Sequence, residues 1–394
     1  MANTLSRRSL ISNLLGAAAA GAVGLPIHEA LPQQPGNGGP TGQQRGEMGR
    51  LAFAFRRSFS VPASSIAISR NGKFVYDEAV GMADGQKLQQ VQLASLFRIA
   101  NLTMPITAVT IFTLIEKGKL NLTDKVFGPS GILGEKYGKP PYKQYVTDVT
   151  LDHLLTHTAG GWPTGSTDPM FRSDSWDQTK LISWTLQNLP LTSPPGQNWA
   201  FSNFGYCVLG RIIEQVTGQP YAAYVQANVL GPCGITDMKI AENKMNQRAT
   251  NEVVYYGQYS EDPYKTNIVR MDSDAGWLAT ASDLVIFLDH VAGAPNIPSL
   301  LKPETIKTMT TPTPAYPQSS PSKYARGWMV TNDGAGDWWH SGSLPGSTTV
   351  MTRTATGLCW ATLTNTRTEP SNVIDNALNE MMWNMVRSVP DWGV

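Results

Sequence analysis

Residues 97–107 read FRIANLTMPIT and lead into the apolar run AVTIFTLIEKGKL. Pro105 suits the first turn of a helix, and Gly118 is a typical helix stop. The body between them is densely apolar, so the pattern predicts a largely buried helix. A helix of this kind must be enclosed by a sheet or by other helices, and the sequence on either side predicts both.

The two ends of the chain carry the strand patterns. Residues 64–81 read SSIAISRNGKFVYDEAVG, two strand-like runs joined at Asn71-Gly72, which is a strong signal for a tight hairpin. Near the other end, STTVMTR and LCWATLTN are strand-like runs that precede a last helix at about 373–387. The middle, about 140–310, alternates helical stretches with loops rich in Pro and Gly. We therefore predict an α+β fold in which an antiparallel sheet built from both chain ends is flanked by helices and carries an inserted, mostly helical region.

The first residues indicate export. Arg7 and Arg8 directly precede a short apolar run rich in Ala and Gly, which is typical of a twin-arginine signal. A membrane anchor is the alternative, but the run at 10–25 contains Ser12 and Asn13 and is shorter than the ~20 apolar residues that a span needs. We expect a periplasmic or extracellular protein with no stable membrane anchor after signal removal.

Composition sets the remaining boundaries. The stretch PIHEALPQQPGNGGPTGQQRGEMG is rich in Pro, Gly and Gln and has little apolar content, so it predicts a flexible leader. The predicted division of the chain is a signal at 1–30, a leader at 31–48 and a domain at 49–394, with an α/β part at about 49–125 and 315–394 and a helical part at about 126–314.

Charge and cysteine usage exclude several function classes. The chain has 394 residues, is 15% charged and carries a formal net charge of +1, with Lys and Arg scattered, so nucleic acid is not an expected partner. No metal-ligand cluster or phosphate-binding Gly loop is evident, so we predict neither a metal nor a cofactor. Cys207, Cys233 and Cys359 are an odd number with apolar flanks, which favours buried free thiols over disulfides.

Several segments together resemble the serine β-lactamase and penicillin-binding protein family, in particular its class C-like, D,D-peptidase and esterase branch. The resemblance covers roughly residues 49–386. It is carried by FRIA with PITAVTIFTLIEKGKLNLTDKV, TLDHLLTHTAGG, PPGQNWAFSNFGYCVLGRIIEQVTGQPY, AGWLATASDLVIFL and WWHSGSLPG.

The resemblance implies a particular active site. In this family, Ser-x-x-Lys begins the buried helix, Tyr-x-Asn lies on a loop, and His or Lys followed by a small residue and Gly lies on a facing strand. Positions three apart lie within about 60° on one helix face, so the Lys can take the proton of the Ser. The positions that keep a family residue here are Asn203, His340, Ser341 and Gly342.

The three reactive positions are substituted. Asn101 stands at the Ser position, Met104 at the Lys position and Phe201 at the Tyr position. An amide is not a usable nucleophile, and neither a thioether nor a phenyl ring exchanges a proton at neutral pH. Thr103 does not replace the hydroxyl, since it is about 200° around the helix from Asn101 and is predicted to point away.

Each candidate side chain has more than one interpretation. Asn101 is either a helix N-cap or a ligand contact, or both, and Met104 and Phe201 are apolar pocket or core residues. His340 is the remaining acid–base candidate, although a single His is often only hydrogen-bonded structure. Asp272 and Asp274 form a close pair of carboxylates. They either support glycoside hydrolysis or are ordinary loop aspartates.

The sequence thus predicts an exported pseudo-hydrolase that binds a cell-envelope or carbohydrate-type ligand in the cleft without forming an acyl-enzyme. The ligand class is a small molecule, a glycan or a peptide, and the oligomeric state is open. The alternative is a hydrolase or transferase acting on an ester, amide or glycoside by a rerouted mechanism through His340 or through Asp272 and Asp274. A purely structural interaction protein is a third hypothesis.

Overall fold

The computed structural model describes residues 39–258 and 261–393, so the predicted signal and residues 31–38 of the predicted leader lie outside the described residues. The helices are α1 Gly42–Ser58, α2 Thr103–Glu116, α3 Leu151–Leu155, α4 Gln178–Asn188, α5 Asn203–Thr217, α6 Tyr221–Val225, α7 Ala281–Ala292, α8 Pro303–Thr310 and α9 Ser371–Arg387. The strands are β1 Ala63–Arg70, β2 Lys73–Asp84, β3 Gln89–Gln90, β4 Phe97–Arg98, β5 Lys239–Ile240, β6 Trp277–Ala279, β7 Lys323–Tyr324, β8 Met329–Val330, β9 Trp338–Leu344, β10 Ser347–Arg353 and β11 Leu358–Thr364.

Both ends of the chain contribute to one antiparallel sheet, as predicted. Its strand order is β3-β2-β1-β11-β10-β9-β8-β7. The junction is the antiparallel pairing of β1 with β11, in which Ile66 faces Thr362 and Ile68 faces Trp360. A second, small sheet has the order β4-β6-β5. The α+β fold class, with helices around an antiparallel sheet and a helical region between the two sets of strands, is confirmed.

The hairpin at Asn71-Gly72 is also confirmed. Both residues have positive φ, 50° for Asn71 and 80° for Gly72, which is the backbone that a two-residue turn of the hairpin type requires. An added Cβ on Gly72 would lie 2.6 Å from Ile297 Cγ1. Backbone conformation and the close neighbour therefore both select glycine here.

Helices cover both faces of the sheet. On one face, α2 is buried from Thr103 to Leu114, and α7 is tied to β1 by a hydrogen bond of 2.9 Å from Ser69 Oγ to Asp289 Oδ1. Although α7 falls within the range predicted as the helical part, its apolar face packs on the sheet. On the other face, α1 and α9 close a second core in which the rings of Trp360 and Trp383 meet edge to face at 4.9 Å.

The leader ends earlier than predicted. Residues 42–48 are the first turns of α1 rather than flexible chain. Thr41 and Gln44 form a capping box, and Met48 is fully buried in the second core, so local capping and tertiary packing outweigh the Gly- and Gln-rich composition.

Two further expectations concern thiols and membranes. Cys207, Cys233 and Cys359 are buried and free, as predicted. Within residues 39–258 and 261–393, no helix is long and apolar enough to cross a membrane.

Replacing Gly46 tests the early start of α1. This glycine is exposed inside the helix, and an added Cβ would meet no atom within 4 Å. We expect Gly46→Ala to raise the free energy of unfolding by about 0.5–1 kcal/mol, because alanine loses less backbone entropy in a helix. Chemical denaturation measures this. Thr41→Ala should lower the same quantity by about 1 kcal/mol through loss of the cap, and no effect of either change would contradict a helix that begins at Gly42.

Candidate functional site

The turn that leads into α2 is fixed by hydroxyl groups of β10. Ser347 Oγ donates to the carbonyl oxygen of Arg98 at 2.6 Å, and Thr349 Oγ1 donates to that of Ile99 at 2.9 Å. Ala100 then adopts a φ of 50°, a left-handed conformation that costs free energy in a residue with a Cβ. These contacts hold the backbone of Asn101 against the C-terminal strands.

Asn101 does not cap α2, so the N-cap hypothesis is wrong. The helix begins at Thr103, the residue before it is Leu102, and no side chain caps the first turn. Asn101 lies instead in a short 3₁₀ turn. Its side chain Nδ2 donates to Asn203 Oδ1 at 2.9 Å, which joins two of the residues predicted for the site.

Asn203 extends this contact to a carboxylate that the sequence did not reveal. Asn203 Nδ2 donates to Asp168 Oδ2 at 2.8 Å, and the backbone N–H of Met170 donates to Asp168 Oδ1 at 2.9 Å. Burial raises the pKa of Asp168 to about 6, and these hydrogen bonds oppose the shift. We call the chain of Asn101, Asn203 and Asp168 the amide ladder. An Asp-Pro turn is the only local signal for Asp168, and such turns are common.

The side chains of Met104 and Phe201 pack among apolar and aromatic neighbours. Met104 is fully buried in the main core. Phe201 is 7% exposed, and its ring lies 4.4 Å from that of His157 and 6.2 Å from that of His340. Thr103 is buried, and its hydroxyl accepts the backbone N–H of Trp277 at 3.4 Å, so it is engaged on the side of β6.

His340 belongs to a buried hydrogen-bonded chain with Tyr324 and His157. The backbone N–H of Ser202 donates to His157 Nδ1 at 3.1 Å, so His157 Nε2 carries the proton and donates to Tyr324 Oη at 2.9 Å. Tyr324 Oη donates to His340 Nε2 at 3.3 Å, and His340 Nδ1 donates to the carbonyl oxygen of Ser341 at 2.7 Å. Both ring nitrogens of His340 therefore have protein partners.

Burial keeps both imidazoles neutral. It lowers the pKa of His340 to about 4, with the hydrogen bond to Ser341 opposing the shift. It lowers the pKa of His157 well below its ordinary value, and the nearby His340 adds to that effect. A neutral imidazole with two satisfied nitrogens is a weak proton acceptor, so the arrangement favours a structural or hydrogen-bonding role.

Gly342 brings β9 against the turn that carries Asn101. An added Cβ would lie 2.4 Å from Thr349 Oγ1, 2.6 Å from the carbonyl oxygen of Ile99 and 2.9 Å from the backbone nitrogen of Asn101. Ser341 precedes it in the strand and is exposed, and because side chains alternate along a strand it points away from the face that Gly342 presents. The structure thus brings Gly342 to Asn101 and leaves the Ser341 side chain outside.

Among the described residues, neither predicted carboxylate hydrogen-bonds to Asn101, Asn203 or His340. Asp272 Oδ2 accepts from Arg211 Nη2 at 2.6 Å, and Arg211 lies roughly 12 Å further along α5 than Asn203 by helical rise. Asp274 is fully buried, and burial raises its pKa well above the ordinary value, with Asp168 and Asp272 adding to the shift. A pair in which one member is ion-paired and the other is inaccessible does not fit glycoside hydrolysis.

The described side chains of this site supply hydrogen-bonding groups and aromatic rings. Among the described residues, no group of three or more His, Cys, Asp or Glu could hold a metal ion. The one described side-chain hydroxyl hydrogen-bonded to His340 is that of Tyr324, which is buried and has a pKa raised well above its ordinary value. Amide groups, a neutral imidazole and an aromatic ring are suited to hydrogen bonding and stacking.

Gly342→Ala tests the contact between β9 and the Asn101 turn. We expect the free energy of unfolding to fall by about 2 kcal/mol, because the methyl group must displace backbone atoms as well as Thr349. Thermal or chemical denaturation measures the change. The control is Gly46→Ala, the same substitution at a position without neighbours, and a Gly342→Ala protein as stable as the native chain would contradict the described approach.

His340→Asn tests the neutral imidazole through pH. Between pH 6.5 and about 4 the unfolded chain binds a proton at His340 that the folded chain does not, so this residue lowers stability as the pH falls. The stability advantage of the native chain over His340→Asn should therefore shrink across this window, by roughly 3 kcal/mol in total. Denaturation curves at a series of pH values measure it, and parallel curves for the two proteins would show that His340 titrates normally.

Two proteins with similar sequences have descriptive names. Penicillin-binding protein 4* of Bacillus subtilis (strain 168) is 26% identical over 318 residues, which cover 73% of this chain and 64% of that protein. Esterase EstB of Burkholderia gladioli is 34% identical over 185 residues, which cover 43% of this chain and 45% of the esterase. The chain thus spans less than two thirds of the length of these relatives.

Solved structures show the same fold. The octameric penicillin-binding protein homologue from Pyrococcus abyssi aligns with a TM-score of 0.70 and 22% identity, covering 88% of this chain and 79% of that one. The D-amino acid amidase from Ochrobactrum anthropi SV3 aligns with a TM-score of 0.69 and 20% identity, covering 87% of this chain and 99% of the amidase. The beta-lactamase family model matches residues 50–380, and the chain therefore belongs to the beta-lactamase family.

Proposed function

We propose that this protein is a non-acylating member of its family that binds a ligand at the site formed by Asn101, Phe201, Asn203, His340 and Gly342. The amide ladder is the observation that carries the proposal. Asn101 stands at the nucleophile position and is engaged by Asn203, which is engaged by Asp168. An amide held in this way neither attacks a carbonyl nor receives a proton.

Retained strain supports a role in binding rather than in packing alone. Ala100 has a φ of 50° directly before Asn101, and backbone strain of this kind clusters at functional sites. Asn101, Asn203 and His340 also remain polar in a buried setting, where apolar residues would avoid the desolvation cost. These features favour a site that has kept its shape after losing its reactive groups.

The ligand we propose is a cell-envelope or carbohydrate-type molecule, which includes small molecules, glycans and peptides. The similar proteins are named for penicillin binding, ester hydrolysis and D-amino acid amide hydrolysis. A site of the same architecture with amide and imidazole groups suits ligands rich in amides or hydroxyls. We also propose export by the twin-arginine route, which rests on Arg7 and Arg8 in the sequence and places the protein in the periplasm or outside the cell.

Covalent labelling tests the absence of acylation. The purified native chain is incubated with a fluorescent penicillin, a fluorophosphonate and an activated ester, and its intact mass is then measured. We expect no adduct, because removing members of a Ser-Lys catalytic unit costs roughly 10⁴ to 10⁶ in rate. The matched control is the triple variant Asn101→Ser, Met104→Lys, Phe201→Tyr, in which we expect an adduct on residue 101.

The outcomes separate the hypotheses. An adduct on one residue of the native chain would overturn the proposal and return the protein to the acyl-transfer enzymes. Turnover of an ester, amide or glycoside that disappears in His340→Ala, without any adduct, would favour the rerouted hydrolase instead. A native chain without adduct or turnover, beside a triple variant that is labelled, supports inertness caused by the three substituted side chains.

A further inference from the structure

The amide ladder has a direction that its carboxylate imposes. An ionised carboxylate only accepts hydrogen bonds, so Asn203 must turn its Nδ2 toward Asp168 and its Oδ1 toward Asn101. Asn101 in turn must give its Nδ2 to Asn203. The orientation of both amides thus follows from the acceptor at the end of the ladder, and the backbone N–H of Met170 helps to anchor that acceptor.

One polar atom of the ladder is left over. No group within residues 39–258 and 261–393 donates a hydrogen bond to Asn101 Oδ1. This oxygen is not completely buried. Asn101 as a whole is 6% exposed. It lies in the turn that meets Gly342 of β9. Gly342 follows His340 by two residues, and Asn203 follows Phe201 by two residues.

We infer that Asp168 sets the polarity of the site floor, so that Asn101 presents a carbonyl oxygen and the bound ligand supplies a hydrogen-bond donor to it. The donor is a hydroxyl, an amide N–H or an ammonium group. This inference rests on the proposed binding function and narrows its ligand class, because a ligand with only an acceptor at this position leaves two oxygens facing each other. Asp168 is a positioning residue that acts through Asn203 and Asn101.

Protonation of Asp168 reverses the ladder. A neutral carboxyl can donate to Asn203 Oδ1, after which Asn203 Nδ2 faces Asn101 Oδ1 and the Asn101 amide presents Nδ2 to the site. Burial places the pKa of Asp168 at about 6. The charged or titratable neighbours are Arg270, which lowers this pKa, and Asp274, whose own pKa burial raises well above its ordinary value, with Asp168 adding to that shift. The native chain therefore offers an acceptor at neutral pH and a donor in mild acid.

Side-chain amide signals of the full native chain, labelled with ¹⁵N at asparagine, measure the reversal. Asn101 and Asn203 are assigned by the signals lost in Asn101→Ala and Asn203→Ala. We expect both signals to move together between about pH 7.5 and pH 5, with a common midpoint near the Asp168 pKa of about 6. A flat profile for the native chain would overturn the inference.

Two carboxylate variants make the test specific. Asp168→Asn should abolish the common inflection. Asp274→Asn replaces the neighbouring buried carboxyl by an amide of similar shape and should leave a common inflection of the two amide signals in place. An inflection that survives in Asp168→Asn, or that vanishes only in Asp274→Asn, would assign the titration to another group and overturn the role of Asp168. If Asp168→Asn fails to fold, the pH profile of the Asn101 and Asn203 signals in the native chain still tests the inference, because a flat profile overturns it.

Benzyl alcohol and benzyl methyl ether probe the polarity at about pH 7.5. They differ in one donor, and each is titrated while the Asn101 signal is followed. We expect the alcohol to bind about fivefold more tightly than the ether, and this preference to be lost in Asn101→Ala. Equal binding, preference for the ether, or no response of Asn101 to either compound would overturn the inference. Failure of the proposed function appears separately, as a covalent adduct in the mass measurement.

Discussion

The pairing of β1 with β11 is the constraint on which the rest of the structure depends. It joins residues from opposite ends of the chain, such as Ile66 and Thr362, and it sets β10 and β9 in order beside them. Hydroxyl groups of β10 then fix the carbonyl groups of the turn before α2. The position of Asn101 opposite Gly342 is thus a consequence of long-range strand pairing. The entropy cost of closing so long a loop is offset by burial of apolar side chains in two cores, one on each face of the sheet.

The polar side chains Asn101, Asn203 and Asp168 hydrogen-bond to one another. A buried amide left without partners costs free energy, and Asn101 meets this requirement through Asn203, whose own amide is completed by Asp168. Met104 and Phe201 add packing where charged or hydroxyl groups would need further partners. These residues therefore combine hydrogen-bonded polar groups with buried apolar side chains.

Burial shifts the pKa values of the titratable side chains at the site toward their neutral forms. The imidazoles of His157 and His340 stay neutral because burial disfavours their charged forms, and the phenol of Tyr324 links them. The same burial raises the pKa of Asp168 to about 6. Asp168 is thus the carboxylate at the end of the amide ladder, and in its ionised form it accepts the hydrogen bond that Asn203 donates.

Several local features of this protein follow from residue type and short spacing alone. The sequence predicts the Asn71-Gly72 hairpin and the buried helix α2, because turn backbone and helical burial depend on residue type and short spacing. It also gives the side-chain types at residues 101, 104 and 201, on which their reactivity depends. The start of α1 at Gly42 was not readable, since its capping and the burial of Met48 outweigh composition. Contacts between distant segments determine that Asn101 hydrogen-bonds to Asn203 instead of capping α2, that Asp168 completes the ladder, and that Asp272 and Asp274 make no hydrogen bond to it. Those contacts join segments far apart in the chain, and their geometry is fixed by packing that no local pattern encodes.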